Sequence, residues 1–276
     1  PLWQNALPLP SASDHKYSRA HALVVGSAEM PGATRLASRA ARRIGVGMLT
    51  VAAPREARAF YLSDQPGLIV RPMEGAKDLS ALLEDSRITA ILVGSGLPPT
   101  AETRSLVETA AGSGRPVVID GGGLTAFAGE LDALRRVGRP DVVLTPHEGE
   151  FARLFPNSDK ARDKATRAAD AARECGCTLV LKGADTVVAS PAGAAAINMD
   201  APAWLATAGS GDVLAGLVAG LLGQGVGPFE AAAAAVSLHG MAGSAFGPGL
   251  IAEDLPELIP EVLRDLAAPD QEVGPE

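Results

Sequence analysis

Short blocks of apolar residues alternate with helix-like stretches along most of this chain. Each block is rich in Val, Ile and Leu and is bounded by Gly, Pro, Asp or Ser, a pattern that is typical of β-strands. Most blocks are unbroken apolar runs, as expected for strands that are covered on both faces. We predict strands at 20–26, 47–53, 90–95, 116–120, 141–145, 178–182 and 186–190.

Helical periodicity fills the segments between and after these blocks. We predict helices at 33–45, 101–112, 149–155, 160–174, 212–223, 229–245 and 253–266. Such alternation favours an α/β sandwich, in which a central, mainly parallel sheet carries helices on both faces. No long linker or internal repeat interrupts it. We therefore predict one domain over residues 1–276, with peripheral segments at 1–19 and 267–276.

Composition and charge limit the partners of this domain. The formal net charge is −8, and no cluster of Lys and Arg with interleaved aromatic residues is present, which argues against a nucleic-acid partner. The longest apolar run, 213–223, is too short to cross a bilayer. Cys175 and Cys177 match neither a disulfide framework nor a zinc site, so we expect free thiols. We predict a cytoplasmic protein with no membrane partner.

The glycine-rich stretch LATAGSGDVLAG (205–216) carries the clearest chemical signal. Ligands of α/β folds bind where strands end and helices begin, and Gly209, Ser210 and Gly211 directly precede a predicted helix. Backbone amides and the helix dipole at such a turn form an anion hole. Asp212 beside it could take a proton from a hydroxyl that attacks a phosphate. An equally weighted alternative is that Asp212 only caps the helix.

Two further strand-end turns carry polar residues. In LTPHEGEF (144–151), His147 and Glu150 could hold a ligand hydroxyl or, through water, a metal ion; the alternative is a helix capping box. In LKGADT (181–186), Lys182 could reach phosphate oxygens, but on its own this string favours an ordinary hairpin turn. The familiar nucleotide motifs GxxxxGK[ST] and GxGxxG are absent at the expected places.

Taken together, TPHEGEF, LKGADT and NMDAPAWLATAGSGDVLAGLVAGLLGQG resemble the ATP- or ADP-dependent NAD(P)H-hydrate dehydratases. The segment GATRLASRAARRIGVGMLTVAAP is similar to the N-terminal part of that family, so the resemblance covers the chain from Asp14 to Leu266. It implies a ribokinase-like fold and a lyase that repairs hydrated NADH or NADPH. The ring hydroxyl would be phosphorylated from ATP or ADP with Mg²⁺, and phosphate would then leave.

The resemblance also implies roles for individual residues. Asp212 would be the catalytic base, and the amides of Gly209, Ser210 and Gly211 would hold the transferring phosphate. Glu150 would support Mg²⁺ through water. The phosphoryl donor would contact Lys182, Gly183, Ala184, Asp185, Thr186 and Gly211, and the hydrated dinucleotide would contact Ala33, Gly96, His147 and Asp212.

Two turns depart from the family pattern. The usual GPGLG is here GSGLP, with Ser95 in place of proline, and the usual DAD is here DGG, with Gly122 in place of the second acid. Both turns face the expected substrate side, so these changes could weaken dinucleotide binding or alter its preference. Relatives of this family often form homotetramers, and many carry an epimerase domain upstream; a homo-oligomer and such a preceding domain are therefore further expectations.

Two other functions stay open at this point. A small-molecule alcohol kinase of the thiazole or pyrimidine type shares the GxGD turn, although TPHEGE and the GATRLA segment favour the dehydratase. A non-catalytic nucleotide-binding module would be compatible with the altered turns. Replacement of Asp212 by asparagine separates this module from either enzyme, because only an enzyme would lose turnover.

Overall fold

The computed structural model describes residues 3–8, 10–11, 13–16, 18–63 and 65–267. Its centre is a nine-stranded sheet with the order β3-β2-β1-β4-β5-β6-β7-β8-β9. The strands from β1 to β7 are parallel, and β8 and β9 pair antiparallel at one edge. They span His21–Val25 (β1), Met48–Ala53 (β2), Ile69–Pro72 (β3), Ala90–Val93 (β4), Val117–Ile119 (β5), Val142–Leu144 (β6), Thr178–Leu181 (β7), Thr186–Ala189 (β8) and Ala195–Asn198 (β9).

Helices cover both faces of the sheet, and each face has its own buried apolar cluster. On one face lie Pro31–Arg43 (α1), Arg58–Leu62 (α2), Ser210–Gly223 (α9), Pro228–Phe246 (α10) and Asp254–Ala267 (α11). On the other lie Ala76–Leu82 (α3), Ala101–Gly112 (α4), Gly121–Thr125 (α5), Leu131–Val137 (α6), Glu148–Leu154 (α7) and Lys164–Cys175 (α8). The predicted three-layer α/β sandwich is confirmed.

All seven predicted strands are present, with ends that differ by a residue or two from the prediction. β3 and β9 were missed because neither is an unbroken apolar run: β3 ends in the exposed Arg71 and Pro72, and β9 alternates exposed with half-buried residues. Both are edge strands, which have one face or edge in water and therefore lack the pattern of a covered strand. The short helices α2, α3, α5 and α6 were also missed.

Small residues let α9 lie directly against α1. A Cβ atom at Gly216 would fall 2.1 Å from the backbone oxygen of Ala37, and one at Gly220 would fall 2.3 Å from the Cγ2 atom of Ile44. Nearly all of α9 is buried. The close packing therefore fixes the position of the α9 N-terminus, which carries Asp212.

The N-terminal segment is less peripheral than predicted. Trp3 is buried and belongs to the apolar cluster on the α9 face, so the prediction of a peripheral segment over 1–19 is wrong at this residue. At the other end, Ala267 closes α11, and residues 268–276 of the predicted peripheral segment lie outside the described residues. Cys175 and Cys177 are buried free thiols, as expected.

Candidate active site

The predicted site residues gather at the carboxyl ends of the parallel strands. The strand order reverses beside β1, because β1 pairs with both β2 and β4, and such a switch point opens a crevice above the sheet. Ala33 in α1 and Gly96 in the turn after β4 follow β1 and β4, the two strands that meet at this point. They are in contact, since a Cβ atom at Gly96 would lie 3.0 Å from that of Ala33. Two of the four residues of the predicted substrate site are therefore neighbours.

Helix α9 begins at Ser210, two residues before the predicted start. Its N-cap is Gly209, which has a left-handed φ of 91° and packs so closely on Leu36 that a Cβ atom would lie 2.5 Å from Cδ1 of that residue. Asp212 is the third residue of the helix. The alternative that Asp212 is the N-cap is therefore wrong, which leaves its carboxylate available for chemistry.

Anion binding by the amides of Gly209, Ser210 and Gly211 stays a prediction; the hydrogen bonds at this turn favour the amides of Gly211 and Asp212 instead. The Ser210 amide donates to the carbonyl of Thr207 at 3.3 Å, and the amide of Val213 makes the first helical bond, to Gly209. The amides of Gly211 and Asp212 lie between these two and precede the helical ladder. They point along the helix axis, where the dipole favours a negative charge.

The carboxylate of Asp212 is held in an environment that opposes its ionisation. Burial, followed by the negative charge of Asp120, raises the pKa of Asp212 from 3.8 to about 6. Glu150 acts in the same direction, whereas a hydrogen bond from Ser95 and the charge of Lys182 act in the opposite one. A carboxylate with a pKa near 6 is still ionised at neutral pH and is a better proton acceptor than an ordinary aspartate.

Asp120, immediately after β5, links the elements of the site. It is buried, and its carboxylate accepts hydrogen bonds from Thr145 (2.7 Å) and Ser95 (3.2 Å) and pairs with the ammonium of Lys182 at 3.0 Å. In the sequence, this residue stands out only as the first letter of the altered DGG turn. Its position directly after a buried strand, next to the strand that Thr145 follows, is the signal that could have identified it.

Lys182 lies at the centre of the charged groups. Its Nζ atom is 3.2 Å from the place where a Cβ atom of Gly211 would be, so the ammonium lies beside the anion-binding turn. Burial by itself would lower the pKa of Lys182, but the charges of Asp120 and Glu150 outweigh burial and raise it. The lysine is therefore protonated, and its predicted contact with a phosphate stays a prediction.

The rest of the 182–186 turn is held by local contacts. The Thr186 hydroxyl donates to the carbonyl of Gly183 at 2.8 Å and accepts from the amide of Gly183 at 3.2 Å. Asp185 pairs with Lys164 at 2.8 Å. Ala184 is exposed beside them. β7 and β8 form the antiparallel hairpin that was the alternative interpretation of this string. A role of these residues in nucleotide binding stays a prediction.

His147 and Glu150 form the capping box that was the alternative interpretation of their turn. The Nδ1 atom of His147 accepts hydrogen bonds from Gly149 and Glu150, and the Glu150 carboxylate accepts from the His147 amide at 2.9 Å. Glu150 is buried, whereas the His147 side chain is 55% exposed. Capping does not exclude ligand contact, because the imidazole remains open to solvent; the backbone of His147 forms a β-bridge with that of Lys182.

The two altered turns pack against each other. A Cβ atom at Gly122 would lie 1.8 Å from the Leu97 oxygen, and one at Gly94, where φ is +117°, would lie 1.9 Å from the Asp120 oxygen. An acidic side chain therefore does not fit at position 122 while the GSGLP turn keeps this shape. The two departures from the family pattern belong together sterically.

His239 of α10 contacts the turn at which α9 begins. This buried histidine of α10 has its Nε2 atom 3.0 Å from the carbonyl oxygen and 3.1 Å from the hydroxyl of Ser210. Burial lowers its pKa to about 4, so the imidazole is neutral at physiological pH. Because a carbonyl can only accept, Nε2 carries the proton. This histidine is thus part of the packed interior and also orients Ser210.

Comparison with known proteins identifies the family of this chain. The family model described as NAD(P)H-hydrate dehydratase matches residues 21–262. The chain belongs to the NAD(P)H-hydrate dehydratase family. This assignment favours the dehydratase interpretation of the sequence over the alcohol kinase that shares the GxGD turn.

Individual relatives agree with this family. The bifunctional NAD(P)H-hydrate repair enzyme of Salinibacter ruber is 37% identical over 277 residues, which cover 94% of this chain and 51% of that protein. The chain thus spans about half the length of the curated relatives it matches. The ADP/ATP-dependent NAD(P)H-hydrate dehydratase of Bacillus subtilis, crystallised with ATP and Mg²⁺, is 30% identical, with a TM-score of 0.83 and 96% of each chain covered.

A third comparison concerns the fold alone. A ribokinase-like superfamily protein from Enterococcus faecalis has a TM-score of 0.83 at 23% identity, covering 96% of this chain and 95% of that one. The predicted ribokinase-like fold of this NAD(P)H-hydrate dehydratase family member is confirmed. Within the described residues, none of the helices combines the length and hydrophobicity of a membrane span.

Proposed function

We propose that this chain dehydrates hydrated NADH or NADPH, using ATP or ADP to phosphorylate the ring hydroxyl. One observation carries the proposal: Asp212, a carboxylate with its pKa raised to about 6, lies in the first turn of α9 beside the amides of an anion-binding turn. A proton acceptor and a phosphate site next to each other are what the transfer of a phosphoryl group to a hydroxyl requires.

In the first step, Asp212 removes the proton of the ring hydroxyl as its oxygen attacks the terminal phosphorus of the donor. The bond to the leaving nucleotide breaks, and ADP is released from ATP, or AMP from ADP. The amides of Gly211 and Asp212 and the ammonium of Lys182 stabilise the negative charge on the transferring group. The product is a phosphate ester of the hydrated ring.

In the second step, the ester loses phosphate. The carbon–oxygen bond breaks as the lone pair of the ring nitrogen forms a double bond to the same carbon, and inorganic phosphate leaves. Loss of a proton from the adjacent carbon then restores the ring double bond. Phosphorylation is needed because hydroxide is a poor leaving group, whereas phosphate is a good one.

The proposed substrate site follows from the switch point of the sheet. Ala33 and Gly96 are small residues in contact at the crevice beside β1, and His147 presents an exposed imidazole at the other side of Asp120. The small side chains of this contact give a low surface over which a flat ring can lie, and the imidazole can hydrogen-bond to polar groups of the dinucleotide. We place the hydrated nicotinamide between the Ala33–Gly96 contact on one side and His147 on the other, with its hydroxyl toward Asp212.

The charges of the site fit a divalent cation bound mainly through phosphate and water. Three carboxylates, those of Asp120, Glu150 and Asp212, act on the ammonium of Lys182. In the described residues no group of three acidic, histidine or cysteine side chains could hold a metal by itself, as is usual for Mg²⁺ in phosphoryl transfer. Mg²⁺ would neutralise phosphate charge there, supported through water by Glu150.

A repair assay tests this function directly. Hydrated NADH or NADPH is incubated with the protein, Mg²⁺ and either ATP or ADP, and the return of reduced-nicotinamide absorbance is followed. We expect recovery that requires a nucleotide and falls by roughly 10²- to 10⁴-fold in Asp212→Asn. Accumulation of a stable phosphate ester without recovery would instead indicate an alcohol kinase.

A control separates chemistry from folding and binding. Asp212→Asn should retain the circular dichroism of the parent and should still bind nucleotide, because the amides of the α9 turn are unchanged. Full activity of a folded Asp212→Asn protein would overturn the role of Asp212 and favour a site elsewhere.

A further inference from the structure

A cavity separate from the active site lies at the carboxyl-terminal end of α1. Its volume is about 400 Å³, and it is lined by the end of α1, the start of β2, the turn 65–67 and Glu257 of α11. The active site occupies the opposite, carboxyl ends of the parallel strands. The length of the six-residue strand β2, about 17 Å, separates the two places.

Positive charge dominates this cavity. Of the described residues that line it, Arg39, Arg42 and Arg43 are basic and Glu257 is acidic, so the lining carries a net charge of +2. The chain as a whole has a net charge of −8, so the sign of the charge is reversed locally. A phosphate group, with a charge of about −2 at neutral pH, complements this lining.

The guanidinium of Arg42 is held in place by neutral groups. Its Nη1 atom donates to the side-chain oxygen of Gln65 at 2.6 Å, and Gln65 is buried. The guanidinium also lies against Gly67, where a Cβ atom would be 2.4 Å from Nη2 and 3.1 Å from Cζ. Among the described residues, no carboxylate lies within ion-pair distance of Arg42. Its charge is therefore positioned without being neutralised.

Arg39 and Arg43 already hold one oxyanion, the carboxylate of Glu257. Nη1 of Arg39 lies 3.5 Å from one carboxylate oxygen, and Nη2 of Arg43 pairs with the other. The two guanidiniums, one turn apart on α1, thus converge on a single group. Because the Glu257 side chain is 42% exposed, it can turn toward water and leave both arginines to a ligand of higher charge.

The helix dipole accounts for only part of this arrangement. It favours cations at the end of a helix, and Arg42 and Arg43 lie in the last turn of α1. It does not explain why a buried amide positions Arg42 beside a cavity. A further guanidinium, that of Arg19, has its Nη2 atom 3.0 Å from the Cβ position of Gly45, just beyond α1. The negative end of the dipole is thus offset several times, and positive charge remains for a ligand.

We propose that this cavity binds the phosphate group of a small molecule through the guanidiniums of Arg39, Arg42 and Arg43. Guanidinium groups stay charged and present paired N–H donors that match phosphate oxygens. Inorganic pyrophosphate and the phosphate chain of a nucleotide share this chemistry, and a volume of about 400 Å³ is usual for small-molecule sites. The inference does not depend on the repair reaction, because the cavity lies at the other edge of the sheet.

The test follows the arginines themselves. Guanidinium signals of ¹⁵N-arginine-labelled protein are recorded by NMR while inorganic pyrophosphate or, in a second arm, ADP is added, and Arg42→Gln and Arg43→Gln assign the signals. We expect the Arg42 and Arg43 signals to shift with half-saturation at about 1 mM or below. The signal of Arg153, exposed at the end of α7, should not move. Tighter binding of ADP than of pyrophosphate identifies the ligand as a nucleotide, and the reverse order identifies an inorganic phosphate.

Gly67→Ala is the sharpest variant, because it changes no charge. The added methyl group would displace the mobile guanidinium of Arg42, and Gly67 is exposed and has no positive φ that alanine would oppose. Read from the Arg43 signal, pyrophosphate should bind roughly tenfold more weakly to Gly67→Ala and to Arg42→Gln, the scale of one hydrogen bond to a charged group. Arg153→Gln removes the same charge elsewhere and should bind pyrophosphate as the parent does.

Lys182→Met separates this cavity from the active site, where pyrophosphate can also bind. Its Arg42 and Arg43 signals should titrate as in the parent. Three results would each overturn the inference: no saturable shift in the parent with either ligand, loss of the shift in Lys182→Met, or parental affinity in folded Arg42→Gln or Gly67→Ala. Arg42→Gln decides by itself should Gly67→Ala fail to fold. Because no turnover is measured, a failure of the proposed repair function leaves this result unchanged.

Discussion

Replacing Gly216 by alanine tests whether the close approach of α1 and α9 holds the active site together. Gly216 lies one turn beyond Asp212 in α9, and a Cβ atom there would be 2.1 Å from the backbone oxygen of Ala37. Non-bonded atoms prefer separations of about 3.5 Å. The two helices would therefore have to separate by about 1 Å, because a backbone oxygen cannot rotate away as a side chain can.

The cost can be set against the gain in helix propensity. Overpacking of a well-packed core typically costs about 1–3 kcal/mol, while a change from glycine to alanine inside a helix gains about 1 kcal/mol. Backbone contact places Gly216 at the upper end of that cost, so we expect a net loss of about 2 kcal/mol. That corresponds to roughly a thirtyfold fall in the ratio of folded to unfolded protein.

Equilibrium unfolding in urea, followed by circular dichroism, measures this loss. Gly112→Ala is the matched control, since Gly112 ends α4, is exposed, and has no atom within 4 Å of the added Cβ position. It should be neutral or stabilised by up to about 1 kcal/mol. A Gly216→Ala protein as stable as the parent would refute the packing argument. An unchanged kcat/KM in the folded variant would show that the α1–α9 contact does not affect the active site.

Three further predictions concern the charged and hydrogen-bonded groups of the site. Between about pH 4 and 6 the folded protein keeps a proton on Asp212 that the unfolded chain has released. As pH rises through this range, the parent should therefore lose up to about 3 kcal/mol of stability relative to Asp212→Asn, measured by urea unfolding at each pH. Stability curves of the two proteins that run parallel with pH would contradict this. His239→Ala removes the hydrogen bond to Ser210 and should raise KM for the nucleotide roughly tenfold, whereas Met241→Ala, at an exposed position of the same helix, should not. Lys182→Met should lower kcat/KM by roughly 10²-fold, because a charge that stabilises the transferring phosphate is lost. It should also move the acidic limb of kcat to higher pH, because the ammonium favours the ionised form of Asp212. A move of the limb to lower pH would contradict the proposed effect of Lys182 on Asp212.

Local patterns in the sequence were sufficient for most of the architecture. Unbroken apolar runs identified the seven strands that are covered on both faces, and the glycine-rich stretch before Asp212 identified the turn at which α9 begins. Edge strands escaped because partial exposure removes the run of apolar residues on which the prediction depends. The sequence could not decide whether Asp212 and His147 cap a helix or act on a ligand, since aspartate and histidine can do either.

Tertiary structure alone decided which polar residues act together. Ser95, Asp120, Thr145 and Lys182 follow four strands that are far apart in the sequence, and the parallel register of β4, β5, β6 and β7 brings them to one edge of the sheet. The steric match between Gly122 and Leu97 likewise joins two turns that looked like independent changes. A sequence determines each strand and turn through neighbouring residues, whereas the protonation of Asp212 depends on charges that only the folded sheet places around it.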